Sequence, residues 1–290
     1  MVRKILNINI PEDKLKNEFN TITKGKENGY VTGSYWNNII LYFQWREFYK
    51  KELELWNANA ICRGLPLQSY IYLNRLKYIK KGYLQLSDRE ILRAFKISGI
   101  YVGNSFHSPF WIKQFIKDYN IKSIYDCCGG WGHRLLGAMD IKYIYNDINP
   151  VTNINCRKIC DYFKLKDKYF YCEDSAYFTP QEDYEAVFTC PPYYNTEIYS
   201  DIGAENKPYD DFLDWWKQTI IKSCIKKDTC KYFAFIINQT YKEDLVKICL
   251  DLKLNKLKEI PLGVIKYSHL NFNKQHKLEK REYLYILQKN

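Results

Sequence analysis

From about residue 121 onwards, short apolar runs alternate with segments whose apolar residues recur every three or four positions. The first pattern is typical of buried strands and the second of amphipathic helices. Strands are predicted at 122–128, 142–150, 168–175, 184–190, 231–238, 256–263 and 281–289. Helices are predicted at 131–140, 152–165, 209–225 and 241–253. The alternation predicts an α/β fold, with a mostly parallel seven-stranded sheet that carries helices on both faces.

The last two predicted strands have no helix between them, which predicts an antiparallel strand at the edge of the sheet. Ligands of such sheets bind beyond the carboxyl ends of the strands. A glycine turn, Asp147, Asp174 and a Pro-Pro corner all follow the ends of predicted strands. We therefore expect these four features to line one crevice.

Residues 1–105 have a different pattern, with helical spacing at 34–56, 67–81 and 87–95. We interpret them as a mainly helical N-terminal extension for target recognition or cover, followed by an α/β domain at 106–290. The net charge of +11 is uneven, with +8 in residues 1–100 and +3 in the remainder. A basic first third favours a polyanionic partner, although a solvated basic surface gives the same count.

The chain has ten cysteines without a CxxC pair and only four histidines, so no metal site is expected. Cysteines inside strand-like runs are typical of reduced thiols in an intracellular protein. The first residues lack the apolar core of a signal peptide, and no apolar stretch approaches the roughly 20 residues that span a membrane. We expect a cytoplasmic monomer or homodimer without membrane contact.

The glycine turn reads "DCCGGWG" and places Asp126, Cys128, Gly130 and Gly132 after the first predicted strand. Glycines there let the backbone approach a ligand and turn into a helix whose N-terminus favours anionic groups. The third glycine of the dinucleotide fingerprint is replaced by Leu135, which disfavours a nicotinamide oxidoreductase.

Acidic residues follow the next two strands. Asp147, followed by Ile148, is placed to accept both hydroxyls of a ribose, and Asp174, followed by Ser175, to accept from an adenine amino group. Each acid could instead cap a helix or a strand end. Together these residues indicate a cofactor that contains a nucleoside and does not require a diphosphate.

The corner after the fourth strand reads Cys190-Pro191-Pro192-Tyr193. With the glycine turn, it resembles the class I S-adenosylmethionine-dependent methyltransferases, and more closely the DNA amino-methyltransferases, whose signature is Asp, Asn or Ser followed by Pro-Pro and an aromatic residue. The resemblance covers about 104–290. It implies a Rossmann-like fold, S-adenosyl-L-methionine as cofactor, and double-stranded DNA as partner, with the target base flipped out.

The chemistry of this family explains the residue types at the corner. An exocyclic base amine is a poor nucleophile, and acceptors for its hydrogens free its lone pair. A carbonyl between two prolines can act as such an acceptor, because proline fixes φ and brings no competing N–H. Tyr193, with Tyr194 beside it, is expected to stack on the flipped base. The resemblance makes Cys190, Pro191, Pro192 and Tyr193 the catalytic candidates.

Cys190 departs from the signature, since a thiol is a weak acceptor. Attack by this thiol on a pyrimidine C5 is an alternative, but in the DNA C5 enzymes the nucleophile follows proline, whereas Cys190 precedes two prolines.

Two further groups complete the expected site. The segment before the glycine turn resembles one that packs across the cofactor pocket in the family, which makes Phe106, His107 and Ser108 cofactor candidates. Lys266, Lys274 and Lys277 lie in a basic segment with interleaved aromatics, a pattern that suits contacts to nucleic acid.

The leading hypothesis is a site-specific DNA methyltransferase that acts on adenine N6, ahead of cytosine N4. The alternatives are an RNA base N-methyltransferase, a protein glutamine methyltransferase, and a non-catalytic nucleic-acid-binding protein on the same fold. Cys190 is the feature that favours the non-catalytic alternative, and the intact glycine turn, Asp147 and Tyr193 oppose it.

Overall fold

The computed structural model describes residues 10–25, 38–40, 42–44, 107–192, 208–265 and 280–290. From Pro11 onwards these residues, apart from Gln44, belong to one compact unit built around a seven-stranded sheet. The strands are β1 (Ser123–Asp126), β2 (Lys142–Asn146), β3 (Lys168–Tyr171), β4 (Ala186–Thr189), β5 (Tyr232–Asn238), β6 (Leu254–Ile265) and β7 (Lys280–Lys289).

Four helices of this unit lie where the apolar spacing predicts them, and two more, which were not predicted, precede the sheet. They are α1 (Glu12–Lys24), α2 (Pro109–Tyr119), α3 (His133–Gly137), α4 (Pro150–Phe163), α5 (Tyr209–Ile220) and α6 (Lys242–Asp251). A π-helical turn at Ile221–Ile225 continues α5. Both faces of the sheet carry a buried apolar cluster, so the sheet is covered on both sides as the alternation of elements predicted.

The strand order is β3-β2-β1-β4-β5-β7-β6. Strands β1 to β5 are parallel, and β7 is antiparallel to both of its neighbours. The predicted Rossmann-like, mostly parallel fold with an antiparallel strand is therefore confirmed. In detail, β6 takes the edge of the sheet, and β7 lies between β5 and β6.

Helix α1 belongs to this unit and packs against its other helices. Leu15, Glu18 and Ile22 form its buried stripe, and the ring of Phe19 stacks on Phe163 of α4 at 4.2 Å. Glu18 accepts hydrogen bonds from the backbone N–H groups of Asn38 (2.9 Å) and Ile39 (3.3 Å), both of which are helical. Part of residues 1–105 thus covers the α/β unit. A boundary at 105/106 stays a prediction, and the helices predicted at 67–81 and 87–95 lie outside the described residues.

Candidate active site

The glycine turn connects β1 to α3. Gly130 and Gly132 have φ angles of 59° and 100°, in the left-handed region where a side chain is strained. Tyr145 on β2 donates its hydroxyl to the carbonyl of Gly130 at 2.6 Å. The turn predicted from the glycines therefore exists, and it is fixed by a tyrosine from the neighbouring strand.

Asp126, at the end of β1, is completely buried and accepts four hydrogen bonds. The donors are the backbone N–H of Cys128 (3.3 Å), Nε (2.6 Å) and Nη2 (3.3 Å) of Arg134, and the hydroxyl of Tyr143 (2.5 Å). Arg134 also donates to the carbonyl of Cys128. Burial lowers the pKa of Arg134, but Asp126 raises it well above its usual value, so the guanidinium stays charged. Asp126 and Arg134 thus organise the turn from below.

This buried ion pair extends towards the Pro-Pro corner through His107. Nη1 of Arg134 lies 3.2 Å from Nδ1 of His107. On the other side of the ring, Nε2 lies 3.7 Å from Sγ of Cys190 and 3.8 Å from Oε1 of Glu282 on β7. A chain of polar contacts therefore joins the glycine turn to the end of β4.

The protonation of His107 follows from its contact with Arg134. Burial lowers the pKa of His107, whereas Cys190 and Glu282 raise it to about 10, which favours a charged ring. However, a guanidinium can only donate, and only an unprotonated Nδ1 can accept at this distance. We therefore assign the neutral ring with its proton on Nε2, directed towards Cys190 and Glu282.

Asp147 lies directly after β2, beside the glycine turn. Its Oδ2 accepts the N–H of Gly130 at 2.7 Å, and its Oδ1 accepts the N–H of Asn149 at 2.9 Å. Each oxygen keeps a further lone pair. Burial raises the pKa of Asp147, and the two backbone donors oppose that shift. The next residue, Ile148, exposes 41% of its surface and offers an apolar face beside the acid.

Asp174 lies in the loop after β3. Its Oδ1 accepts the N–H of Ala176 at 3.0 Å and the indole N–H of Trp215 at 2.8 Å. Ser175 is buried and donates its hydroxyl to the carbonyl of Cys127, so it secures the loop to the end of β1. Oδ2 of Asp174 accepts no hydrogen bond within the described part of the chain.

At the end of β4, Cys190 and Pro192 are partly exposed, and Pro191 is buried. Sγ of Cys190 lies 3.8 Å from the carbonyl oxygen of Pro191, within the range of a weak S–H···O contact. The carbonyl between the two prolines therefore lies beside the thiol, at the same edge of the sheet as the glycine turn.

The remaining predicted residues have other positions. Ser108 is the N-cap of α2 and accepts the N–H of Phe110 at 3.3 Å. The predicted contact of Ser108 with the cofactor stays a prediction. A direct contact of Asp126 also stays a prediction, and the four donors that already bind this carboxylate argue against it. Six predicted residues lie outside the described residues: Phe106, Tyr193, Tyr194, Lys266, Lys274 and Lys277.

The sequence interpretation missed Arg134, Tyr143, Trp215 and Glu282. Two of them had a signal, because Arg134 and Glu282 are charged residues inside predicted apolar elements, and such residues are buried only when they are paired. Tyr143 and Trp215 had none, since aromatic residues in a strand or an amphipathic helix are ordinary core residues.

Two kinds of feature are absent from the described residues. No helix among them is long and apolar enough to cross a membrane. No group of three or more His, Cys, Asp or Glu residues within the described ranges could hold a metal ion.

Comparison with known proteins identifies a likeness of fold. No protein-family model and no curated protein matches the chain. Among solved structures, an S-adenosylmethionine-dependent methyltransferase from Clostridium acetobutylicum is 14% identical, with a TM-score of 0.44 over 62% of this chain and 89% of that one. A putative RNA methyltransferase from Pyrococcus horikoshii is 14% identical, with a TM-score of 0.41 over 62% and 82%.

Magnesium protoporphyrin IX methyltransferase from Synechocystis, solved with SAH bound, is 11% identical, with a TM-score of 0.41 over 62% of this chain and 80% of that one. These likenesses carry no argument about the activity of this chain, and its own residues must carry the function.

Proposed function

We propose that the chain is an S-adenosylmethionine-dependent methyltransferase that modifies an exocyclic base amine in DNA. One observation carries this proposal. Four features lie in a row at the carboxyl ends of neighbouring parallel strands. In the order β3, β2, β1, β4 they are Asp174, Asp147, the glycine turn and the Cys190 corner. At about 4.8 Å per strand this row extends about 14 Å, which suits an elongated ligand made of adenine, ribose and an amino acid.

The residues at these strand ends fit such a cofactor. Both oxygens of Asp147 have a spare lone pair for ribose hydroxyls, and Asp174 Oδ2 can accept from an adenine amino group. The exposed side chain of Ile148 can pack on the base. When it is bound, the cofactor supplies a methyl group activated by a sulfonium.

The corner supplies acceptors for the target amine. The carbonyl of Pro191 can accept one amine hydrogen and so direct the nitrogen lone pair to the methyl group. Positioning of this kind is a large share of catalysis when two reactants must meet in line. The methylated amine would be cationic until it releases a proton, and water is the acceptor, because the backbone carbonyls of the corner are not bases.

The surroundings of Cys190 favour this route over covalent attack by the thiol. In a cysteine–histidine nucleophile pair, the histidine must be able to take the thiol proton, and a third group orients the ring. Here Nε2 of His107 already carries a proton, because Arg134 donates to Nδ1. His107 therefore acts as a donor towards Cys190.

The charge of the chain favours a nucleic acid over a protein substrate. The excess of +8 in residues 1–100 suits a polyanion better than a protein glutamine. Adenine N6 stands ahead of cytosine N4, and Tyr193 would stack on the flipped base. RNA is the second candidate, because the same excess of basic residues suits it equally.

The test is methyl transfer from labelled S-adenosylmethionine to unmethylated DNA, to unmodified RNA and to protein, with the product base identified by mass spectrometry. We expect N6-methyladenine in DNA. Methylation of RNA alone would move the proposal to the second candidate, and no transfer to any substrate would contradict it.

The corner is tested by substitution of Cys190. Cys190→Ser should keep or raise turnover, because a hydroxyl is the better acceptor, and Cys190→Ala should keep measurable turnover. Loss of all activity in Cys190→Ser, with a protein–DNA adduct trapped in the wild type, would establish attack through the thiol instead.

A further inference from the structure

Trp215 on helix α5 is joined by a hydrogen bond to the proposed cofactor site. Its indole N–H donates to Oδ1 of Asp174 at 2.8 Å, and the ring is partly exposed. Asp174 and Trp215 are 41 residues apart in sequence. The contact therefore depends on the assembled fold.

The two donors leave Asp174 with one oxygen for a ligand. The indole N–H of Trp215 and the backbone N–H of Ala176 both donate to Oδ1. Together they fix the rotation of the carboxylate about the Cβ–Cγ bond. Oδ2 then has a defined direction and accepts no hydrogen bond within the described residues. An ionised carboxylate oxygen can accept a hydrogen bond and cannot donate one.

The backbone of the same loop is fixed independently. The side chain of Asn146, at the end of β2, donates from Nδ2 to the carbonyl of Glu173 and accepts the N–H of Glu173 at Oδ1, both at 3.0 Å. Asn146 is fully buried. The position of Asp174 thus follows from Asn146, and the orientation of its carboxylate follows from Trp215.

We propose that Trp215 is a positioning residue that makes Asp174 select a purine with an exocyclic 6-amino group over one with a 6-carbonyl. This inference rests on the proposed cofactor site. An adenine amino group donates to Oδ2, whereas the carbonyl of hypoxanthine places an acceptor against an acceptor. A site built around a hydrogen bond to an N–H group rejects analogues that lack it, because its own polar group is left unpaired.

The experiment measures binding of two ligands by calorimetry to the full chain. These are S-adenosylhomocysteine and S-inosylhomocysteine, its deaminated counterpart. The wild type should prefer S-adenosylhomocysteine. In Trp215→Phe, which keeps an aromatic ring and removes the N–H, affinity for S-adenosylhomocysteine should fall roughly 3- to 10-fold, the scale of one hydrogen bond. Affinity for S-inosylhomocysteine should change little, so the preference should shrink.

Trp216→Phe is the matched control on the same helix. Trp216 is buried, and its indole N–H has no acceptor within the described residues. This substitution can lower stability by loosening the core, but it should leave the ratio of the two affinities at the wild-type value. The ratio therefore separates positioning of Asp174 from general damage to α5.

Asp174→Asn tests the direction of the preference. With Trp215 still donating to the side-chain oxygen, the amide nitrogen takes the place of Oδ2 and presents a donor. The preference should then move towards S-inosylhomocysteine.

An unchanged ratio in Trp215→Phe would overturn the inference while leaving the cofactor assignment intact, and so would a wild type that binds both ligands equally. A folded wild type that binds neither ligand would contradict the proposed function, and with it the premise of this inference.

Discussion

Asp126 and Asp147 end neighbouring strands of one sheet, yet their surroundings differ. Asp126 is completely buried, and four hydrogen bonds from within the chain use its carboxylate. Asp147 is partly exposed, and two backbone groups donate to it within the described part of the chain. The carboxylate of Asp126 is used to stabilise the fold, and the carboxylate of Asp147 can still accept hydrogen bonds from a ligand. A carboxylate at a strand end thus indicates a binding site only when its acceptors are not already used.

The largest effect should come from breaking the buried ion pair of Asp126. Arg134→Met leaves Asp126 buried without its counterion, and we expect the free energy of unfolding to fall by about 3–5 kcal/mol. Urea denaturation measures this. Lys113→Met is the matched control, because it removes a partly exposed ion pair with Asp140 and a hydrogen bond to the carbonyl of Thr23, and it should cost about 1 kcal/mol. Equal losses in the two variants would refute the distinction.

The next effect concerns Asp147 and its affinity for the cofactor. Asp147→Ala should weaken binding of S-adenosylhomocysteine by about 1.5–3 kcal/mol, the scale of hydrogen bonds to a charged group. Calorimetry measures the change. Asp140→Asn, just before the other end of β2, should leave affinity unchanged. Wild-type affinity in a folded Asp147→Ala variant would remove this acid from the site.

A pH titration sharpens the same contrast. Burial raises the pKa of Asp147 above its ordinary value of 3.8, so the folded chain binds this proton at a higher pH than a free carboxyl does. As pH falls through this raised pKa, folding is relatively favoured, but the carboxylate loses acceptor capacity. We expect affinity for S-adenosylhomocysteine to fall about tenfold in that window, or 1.4 kcal/mol. Asp147→Asn should abolish this dependence, and its persistence there would assign it to another group.

The smallest effect tests whether each donor to Asp126 contributes to the free energy of unfolding. Tyr143→Phe removes one of the four hydrogen bonds and should lower the free energy of unfolding by about 1 kcal/mol. Tyr125→Phe on β1 is the control, because its buried hydroxyl has no partner within the described residues. Its removal should be neutral or stabilising. A larger loss in Tyr125→Phe than in Tyr143→Phe would contradict this account of Asp126.

From about residue 121 onwards the sequence sufficed for the kinds of elements and their approximate positions, whereas the helices at Glu12–Lys24 and Pro109–Tyr119 were not predicted. The strand predicted at 142–150 is observed at Lys142–Asn146, because the pattern does not distinguish the last residue of the strand ladder from the Asp and Asn that follow it. The placement of β7 between β5 and β6 was not predictable. Periodicity reports which face of a strand is buried, and it carries no information about which strand lies beside it.

The site was predictable in part for a similar reason. Asp126 and Asp147 are the same residue type in similar positions, and only the partners Arg134 and Tyr143, 8 and 17 residues away from Asp126, distinguish them. Likewise, Trp215 belongs to an amphipathic pattern that its packing fully explains, and its bond to Asp174 appears only in three dimensions.

The position of β7 also has a consequence for synthesis of the chain. Strand β6 has β7 as its neighbour in the sheet and is made before it, so during translation β6 cannot join the sheet until β7 leaves the ribosome. Strand β7 carries Glu282, whose Oε1 lies 3.8 Å from Nε2 of His107. Closure of the sheet and completion of this polar cluster are therefore one late event, and a nascent chain interrupted before residue 280 would expose the open edge of β5.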